Sequence, residues 1–474
     1  VTRAPSVTTL DALARLLGPK GFTADPDAMA PWLTDWRGKY HGAAAAMLSP
    51  ATTEEVAAVV TLCAENDVAL VPQGGNSGMV GGATPDESGN ALLLSTRRMN
   101  HIRIIDEATQ FAIVEAGVIL EHLHEAALEH GLRFPLTLGG KGSATIGGLV
   151  STNAGGTQVL RHGTMRALVA GIEAVLPDGS IFDGLAPLKK DNRGYDLRHL
   201  LCGAEGTLGI VTAACLRLVP AVAARRTAWT GLESPESARR LLRRLDTAIG
   251  GELEGFEIIP HSCLDAVLRH IPQTRAPLSG VYPWYALIEL AGEREEALDS
   301  ALQTELTSAL EAGLLDDVVI AKNDRESEDF WRLRDSISEA ERAEGPAIQH
   351  DISVPVDLMP AFIGENPQRL ANAFPGVRAL SFGHLGDGNV HHHVQPPVDV
   401  DGKAWLAEHG EALSRLVYSH VIELGGSISA EHGIGQMKRD MLAELDSPAR
   451  LAALRGIKAG LDPAGLFNPG KLIG

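Results

Sequence analysis

The chemistry in this chain is concentrated in three short stretches of its second half. The first is Phe382-Gly383-His384-Leu385-Gly386-Asp387-Gly388-Asn389-Val390-His391-His392-His393. In an extended strand alternate side chains share a face, so His391 and His393 point together and His392 points away. His384 precedes a glycine-containing turn that can fold it back beside His391. Converging neutral imidazoles suit Zn²⁺ or a similar divalent ion; the same spacing also fits a solvated histidine-rich loop. The second stretch is Ser429-Ala430-Glu431-His432-Gly433-Ile434-Gly435. Its Glu431 and His432 could be a carboxylate ligand beside a proton acceptor, or a surface ion pair. The third, 329–343, reads as one helix with Phe330, Leu333 and Ile337 as its apolar stripe. Trp331, Arg334 and Ser338 share another face of that helix. The planar fork of Arg334 suits a carboxylate, although a solvated arginine has the same pattern.

These groups need a scaffold, and the first half of the chain is dominated by glycine. The loop Pro72-Gln73-Gly74-Gly75-Asn76-Ser77-Gly78-Met79-Val80-Gly81-Gly82-Ala83-Thr84-Pro85 follows the apolar strand pattern of Val68–Val71. Glycines let backbone N–H groups converge and let a ligand approach the main chain, which makes a phosphate cradle; a flexible turn is the alternative. The loop lacks the Gly-Lys-Ser/Thr of a Walker A site and the strand–turn–helix setting of a Rossmann fingerprint. A second cluster runs from Pro135 to Gly156, and a ligand with a long phosphate-bearing tail would use both. Asp191–Leu197 and Gly203–Ile210 add further glycine-bounded segments.

Together, the two loops, Asn192-Arg193-Gly194-Tyr195-Asp196-Leu197 and Gly203-Ala204-Glu205-Gly206-Thr207-Leu208-Gly209-Ile210 resemble the flavin-binding half of the vanillyl-alcohol-oxidase type of FAD enzymes. Over nearly its whole length the chain is similar to FAD-linked D-2-hydroxyacid dehydrogenases, the group of the D-2-hydroxyglutarate, D-lactate and glycolate dehydrogenases. The resemblance implies an α+β fold. A two-part FAD-binding domain of the PCMH type spans 1–221, an antiparallel-sheet substrate domain 222–425, and a C-terminal helical segment packing back on the FAD domain 426–474. It implies FAD contacts from Pro72, Gly74, Gly75, Asn76, Ser77, Gly78, Met79, Gly81 and Gly82. Further contacts would come from Leu138, Gly142, Ser143, Gly147, Gly148, Asn153, Gly156, Glu205, Gly209, Ile210 and Asn468. With Asn76 and no histidine in the first loop, FAD is expected to be non-covalent.

The same resemblance implies a divalent metal, Zn²⁺, held by His384, His391 and Glu431, with His432 as the base and Arg334 and Ser338 on the substrate. Two positions depart from the pattern. Gln349 stands where hydroxyglutarate dehydrogenases have a substrate-binding lysine, and His393 stands where they have an asparagine. Losing a charged hydrogen bond at the first is worth about 1.5–3 kcal/mol, which weakens 2-hydroxyglutarate as the substrate; the second could tune the substrate side chain or add a ligand. The implied reaction oxidises a D-2-hydroxy acid of the hydroxyglutarate or lactate type to the 2-oxo acid, with hydride passing to flavin. Electrons would leave through an electron-transfer flavoprotein, a quinone or a cytochrome. A metal-dependent hydrolase with a nucleotide-binding domain is the alternative, and a flavin-fold protein binding ligand without turnover a third.

Composition bounds these readings. The chain has 474 residues and a net charge of −19, which disfavours sequence-independent nucleic-acid binding. No apolar run approaches the ~20 residues of a membrane span, and Val1-Thr2-Arg3-Ala4-Pro5 carries no apolar signal region. Cys63, Cys202, Cys215 and Cys263 have no CxxC spacing and read as core residues of a reducing compartment. A cytoplasmic protein is the expectation, with a homodimer as one candidate assembly. Local signals predict a helix from the capping box Thr52-x-x-Glu55, strands at Leu92–Leu94, Phe111–Val114, Gly171–Leu176 and Trp284–Leu290, and helices at 121–131, 238–249, 293–312 and 405–424. Ser447-Pro448 starts the last helix, and Ala221–Arg226 loses the strand pattern after a boundary near Pro220.

Overall fold

The computed structural model describes residues 3–473; Val1, Thr2 and Gly474 lie outside it. The chain divides into two compact units. One comprises Val1–Gly156, His162–Ala221 and Glu431–Gly474, the other Thr157–Arg161 and Val222–Ala430.

The first unit holds two main sheets. Strands β1 (Phe22–Thr23), β2 (Met47–Leu48), β3 (Ala69–Gln73) and β4 (Ala91–Ser95) form a four-stranded sheet in the order β1-β2-β4-β3. Its β2–β4 and β3–β4 pairs are parallel. Such strands are covered on both faces, and the runs Leu92-Leu93-Leu94 and Ala69-Leu70-Val71 are fully buried. The helix Thr53–Glu65 leads into β3; Thr52 Oγ1 accepts from Glu55 N at 3.2 Å and Glu55 reaches back to Ala51 N at 2.7 Å. The second sheet is antiparallel: β5 (Ile102–Asp106), β6 (Phe111–Glu115), β8 (Val169–Val175), β9 (Ile181–Gly184) and β10 (Ile210–Arg217) lie in the order β5-β6-β10-β8-β9. A short antiparallel pair joins β7 (Leu132–Arg133) and β11 (Val219–Pro220). Near the C-terminus, Leu70 N donates to Leu466 O and Asn468 N donates to Leu70 O, both through the edge of β3.

The second unit is built on one antiparallel sheet of seven strands. These are β12 (Ala224–Leu232), β13 (Leu253–Pro260), β14 (Trp284–Gly292), β15 (Asp317–Ile320), β16 (Ile348–Ser353), β17 (Arg378–His384) and β18 (Asn389–Gln395), in the order β15-β12-β14-β13-β17-β18-β16. Helices cover both faces. On one, His261–His270, Asp324–Asp335 and Ile337–Glu344 pack over Trp229, Tyr285, Leu287 and Phe382. On the other lie Pro235–Ile249, Glu295–Glu311, Met359–Ala373 and Gly402–Glu423.

Three expectations need correction. Strand β12 begins at Ala224, so Ala224–Arg226 is extended and hydrogen-bonded to β14. The second glycine cluster is not one loop: Ile146–Thr152 is a helix, ended by Asn153 in the left-handed conformation. The helix over 329–343 is two helices, Asp324–Asp335 and Ile337–Glu344, meeting at Ser336. Ser338 therefore belongs to the next helix and is exposed. The four cysteines are buried and free; burial pushes the Cys63 thiol up to about 12. Among the described residues no helix is long and apolar enough to cross a membrane.

Candidate active site

In the second unit the histidine-rich stretch folds into the β17–β18 hairpin, and β16 lies beside it. The register makes rows: Leu380–His393–Gln349, Phe382–His391–Asp351 and His384–Asn389–Ser353. Residues in such rows share a face of the sheet. His384, His391, Asp351, His393 and Gln349 therefore line one face, the one that the helices carrying Arg334 and Glu341 cover. His384 and His391 sit diagonally across the hairpin with ring centroids 5.4 Å apart, and ring nitrogens of the two come within 4.8 Å of each other. Asn389 Nδ2 donates to Asp351 Oδ1 at 3.0 Å, fixing that carboxylate beside His391.

Glu257 on β13 pairs directly with His384. One of its oxygens accepts from His384 Nδ1, and the other accepts from Arg334 Nε at 2.9 Å. With Nδ1 protonated towards Glu257, Nε2 keeps its lone pair, the arrangement that orients a metal-ligating histidine. Arg334 Nη2 stands 3.4 Å from that nitrogen. Burial opposes the charge of Glu257, but the Arg334 guanidinium and His384 outweigh it and hold the carboxyl well below the usual range. Burial, helped by His384 and Arg334, pushes His391 well below the ordinary imidazole range, so its ring is neutral near pH 7. Two converging imidazoles, one of them with a buried carboxylate behind it, are a donor set suited to a divalent ion.

The opposite face of the same strands is a sealed polar layer. His350 Nδ1 faces His392 O at 3.0 Å and its Nε2 lies 3.1 Å from Ser414 Oγ. The His392 ring is held between Ser381 Oγ at 2.7 Å and Asn366 Nδ2 at 2.8 Å. Asn366 Oδ1 accepts from His420 Nδ1 at 2.9 Å. Burial and neighbouring imidazoles keep His392 neutral.

In the first unit the two glycine segments meet. A Cβ on Gly75 would stand 1.7 Å from Ser143 O, and one on Gly74 2.1 Å from Thr145 Oγ1. Gly147 and Gly156 are similarly closed by Ala116 and Thr137 O, and Gly209 by Leu201. Gly78 is different, with nothing within 4 Å of a Cβ there. Ser77, Met79, Gly81, Gly82, Leu138, Gly142, Ser143 and Gly148 lie along the same two segments, and Ile210 opens β10 in the core. Several polar side chains expected at FAD hold the loops themselves. Asn76 Nδ2 donates to Thr34 O at 2.8 Å, Asn153 Oδ1 accepts from Arg166 N at 2.9 Å, and Asn468 Nδ2 donates to Gly82 O and Glu205 O. Glu205 accepts from Ile434 N and Gly435 N, both at 2.7 Å, which pins the turn after Glu431 and His432, both half-buried. Around the segments, Gln73 Oε1, Thr84 Oγ1, Thr145 Oγ1 and Asn468 Oδ1 are buried without a hydrogen-bond partner. Orphaned polar atoms beside an open glycine loop fit a bound polar cofactor.

The sequence reading missed Glu257, Asp351 and Glu341. Glu257 had one signal, a charged residue inside the otherwise apolar run Phe256–Ile259. Asp351 sits in the alternating pattern Gln349-His350-Asp351.

Residues 44–184 match the family described as FAD binding domain, and residues 222–472 match FAD linked oxidases, C-terminal domain. The mitochondrial D-2-hydroxyglutarate dehydrogenase of Arabidopsis thaliana is 36% identical over 484 residues, covering 100% of this chain and 84% of that protein. The D-2-hydroxyglutarate dehydrogenase of Xanthomonas citri pv. viticola is 36% identical, covering 95% of this chain and 93% of its own. Among solved structures, substrate-bound p-cresol methylhydroxylase shares the fold with a TM-score of 0.75 at 16% identity, over 98% of this chain and 96% of that one. These matches leave the hydrolase alternative without support. The chain belongs to the FAD-linked oxidase family, within the group that includes the D-2-hydroxyglutarate dehydrogenases.

Proposed function

We propose that the protein oxidises a D-2-hydroxy acid to the 2-oxo acid, with a divalent metal, Zn²⁺, held by His384, His391 and Glu431. The observation that carries this reading is the His384–Glu257–Arg334 arrangement beside a neutral His391. It presents a lone pair on each of two imidazoles and a guanidinium for a carboxylate, in a chain of the FAD-linked oxidase family. Bound FAD supplies the two-electron acceptor for hydride from C2. A bound divalent ion supplies Lewis acidity towards the substrate hydroxyl and carboxylate.

The chain's own residues do the rest. Arg334, steadied by Glu257, binds a substrate carboxylate through its guanidinium. His432 accepts the hydroxyl proton as general base, and Glu205 holds the turn that carries it. Gln349 and His393, one row along the sheet from His391, meet the substrate's side chain. Ser338, exposed at the start of the next helix, is the second residue proposed to meet that carboxylate. An electron-transfer flavoprotein, a quinone or a cytochrome would take the electrons onward.

The test is the anaerobic visible spectrum of the purified protein before and after D-lactate, D-2-hydroxyglutarate, D-malate and their L forms, each added separately. Bleaching of a flavin band by D acids alone supports the reading. A protein with no flavin band after incubation with FAD, or one bleached equally by L acids, overturns it.

A further inference from the structure

Arg334 is the penultimate residue of the helix Asp324–Asp335, so within that helix its hold comes from the N-terminal side. One turn earlier stands Trp331, on the same side of the helix. Its indole Nε1 donates to Oε2 of Glu289 on β14 at 2.7 Å. The other oxygen of Glu289, Oε1, accepts from Arg225 Nη1 on β12, also at 2.7 Å. Glu289 is buried between Ile288 and Leu290, both fully buried, and a charge in such a place is costly unless its oxygens are hydrogen-bonded. A second buried acid, Glu254, lies close by. It accepts from Gln158 Nε2 at 3.0 Å and Arg161 Nη1 at 3.2 Å, and Arg225 Nη1 is 3.7 Å from it. Burial pushes the Glu289 carboxyl up; Arg225 and the Trp331 indole oppose that shift, and Glu254 adds to it.

Trp331 and Arg334 meet successive rows of one sheet face. Gly255 of β13 pairs with Glu289, and Glu257 pairs with Leu287; residues two apart on a strand share a face. The Trp331 ring lies over Gly255, where a Cβ would stand 3.6 Å from Cη2. Arg334 Nε donates to Glu257 at 2.9 Å. Three helical residues rise roughly 4.5 Å and two strand residues roughly 7 Å, so side chains one turn apart reach rows one step apart. The helix therefore docks on the sheet through two buried acids, Glu289 and Glu257. Phe330 and Leu333 of the same helix add apolar packing, but apolar contact is non-directional and does not fix a helix against sliding or rotation. The indole hydrogen bond is directional and does.

We propose that Trp331 and Glu289 are positioning residues for the oxidation. Their hydrogen bond, backed by Arg225, sets the place of the helical turn that carries Arg334, and with it the reach of the guanidinium towards the substrate carboxylate. Both act through Arg334. This inference rests on the proposed role of Arg334 in binding a 2-hydroxy acid and adds the residues that make that role possible.

The test measures equilibrium binding of pyruvate and of 2-oxoglutarate to the FAD-loaded enzyme with Zn²⁺ added, by calorimetry, which does not require turnover. Trp331→Phe keeps a ring over Gly255 and removes the donor. Glu289→Gln keeps the shape and removes the charge that Arg225 and Trp331 both address. Each is expected to weaken the oxo acid that the wild type binds by about ten-fold, with flavin content and chelator-measured metal affinity unchanged. In an Arg334→Ala background the same substitutions are expected to weaken binding no further, whereas a general loosening of the fold would weaken it in both backgrounds. Arg225→Gln, at the exposed end of the network, should repeat the effect in milder form and serves if a core variant fails to fold. Unchanged affinity in Trp331→Phe and Arg225→Gln while Arg334→Ala binds weakly, or equal losses in both backgrounds, overturns the inference and leaves the oxidation standing. Affinity untouched by Arg334→Ala, or no binding of either oxo acid to the wild type, overturns the inference together with the proposed role of Arg334. The expected coupling without flavin reduction by any D acid overturns the oxidation and keeps the positioning.

Discussion

Glu257 accepts the Nδ1 proton of His384 directly across the β13–β17 pair. This leaves His384 with one usable donor atom, Nε2, in a fixed orientation. Glu257→Gln keeps the shape but removes the charge that holds the tautomer. Loss of such an outer partner typically weakens a metal site about 10–100-fold. Competition with a calibrated chelator should show that drop, with bound FAD unchanged.

His384→Ala removes the ligand itself. If the ion polarises the hydroxyl, several kcal/mol of stabilisation are lost, on the order of 10³ in rate. Stopped-flow flavin reduction should collapse while the visible FAD band stays. Chelation of the wild type should give the same phenotype, and added Zn²⁺ should restore only the wild type. Normal turnover by the variant would remove the metal from the account.

The two glycines Gly75 and Gly78 separate packing from ligand contact. Gly75→Ala would drive a methyl group into Ser143 O, 1.7 Å away, and should destabilise the first unit by roughly 2–4 kcal/mol. Gly78→Ala meets nothing within 4 Å, so its melting temperature without flavin should match the wild type. Loss of FAD affinity in Gly78→Ala would then report a direct cofactor contact. Thermal melts with and without FAD, and the flavin-to-protein absorbance ratio, give both readings.

Lys471 provides a pH test. Burial lowers its ammonium to about 8, with Asp86 partly opposing and Arg439 adding to the shift. Between pH 8 and the unfolded value near 10.5, the unfolded chain binds a proton that the folded one does not. Stability therefore rises with pH in that window and is lost as pH falls through 8. Lys471→Met should abolish that rise and add on the order of 2–3 kcal/mol at pH 7. Denaturant melts at pH 7.5, 9 and 10 compare the slopes; equal slopes would reject the assignment.

What could be read from the sequence was periodic or local. Alternation in Val390–Val394 was enough to put His391 and His393 on one face, because a strand has period two. Ser447 and Thr52 announced their helices through side-chain oxygens that the structure finds on Arg450 N and Glu55 N. The break at Ser336 was invisible because Phe330, Leu333, Ile337 and Ala340 keep helical spacing straight through it. Glu257 and Glu341 escaped because their partners lie 127 and 52 residues away. Nothing local to a buried acid says which distant histidine will neutralise it. The glycine loops were readable as unusual backbone, yet much of their glycine content answers to neighbouring backbone atoms and not to a ligand.

The sealed polar layer behind the hairpin has a consequence for how the chain finds its register. His391, His392 and His393 are the same residue three times over, so within the triplet hydrophobicity does not mark the register and only the flanking Val390 and Val394 do. A slip would turn His392 towards the ligand face and bury His391 or His393 behind it. Only the correctly aligned ring meets Ser381 and Asn366; a shifted strand would strand both in the interior and leave the chain of contacts to His420 open. The back of the sheet thus works as an alignment mark, giving one of three identical side chains a separate identity before any ion or substrate arrives.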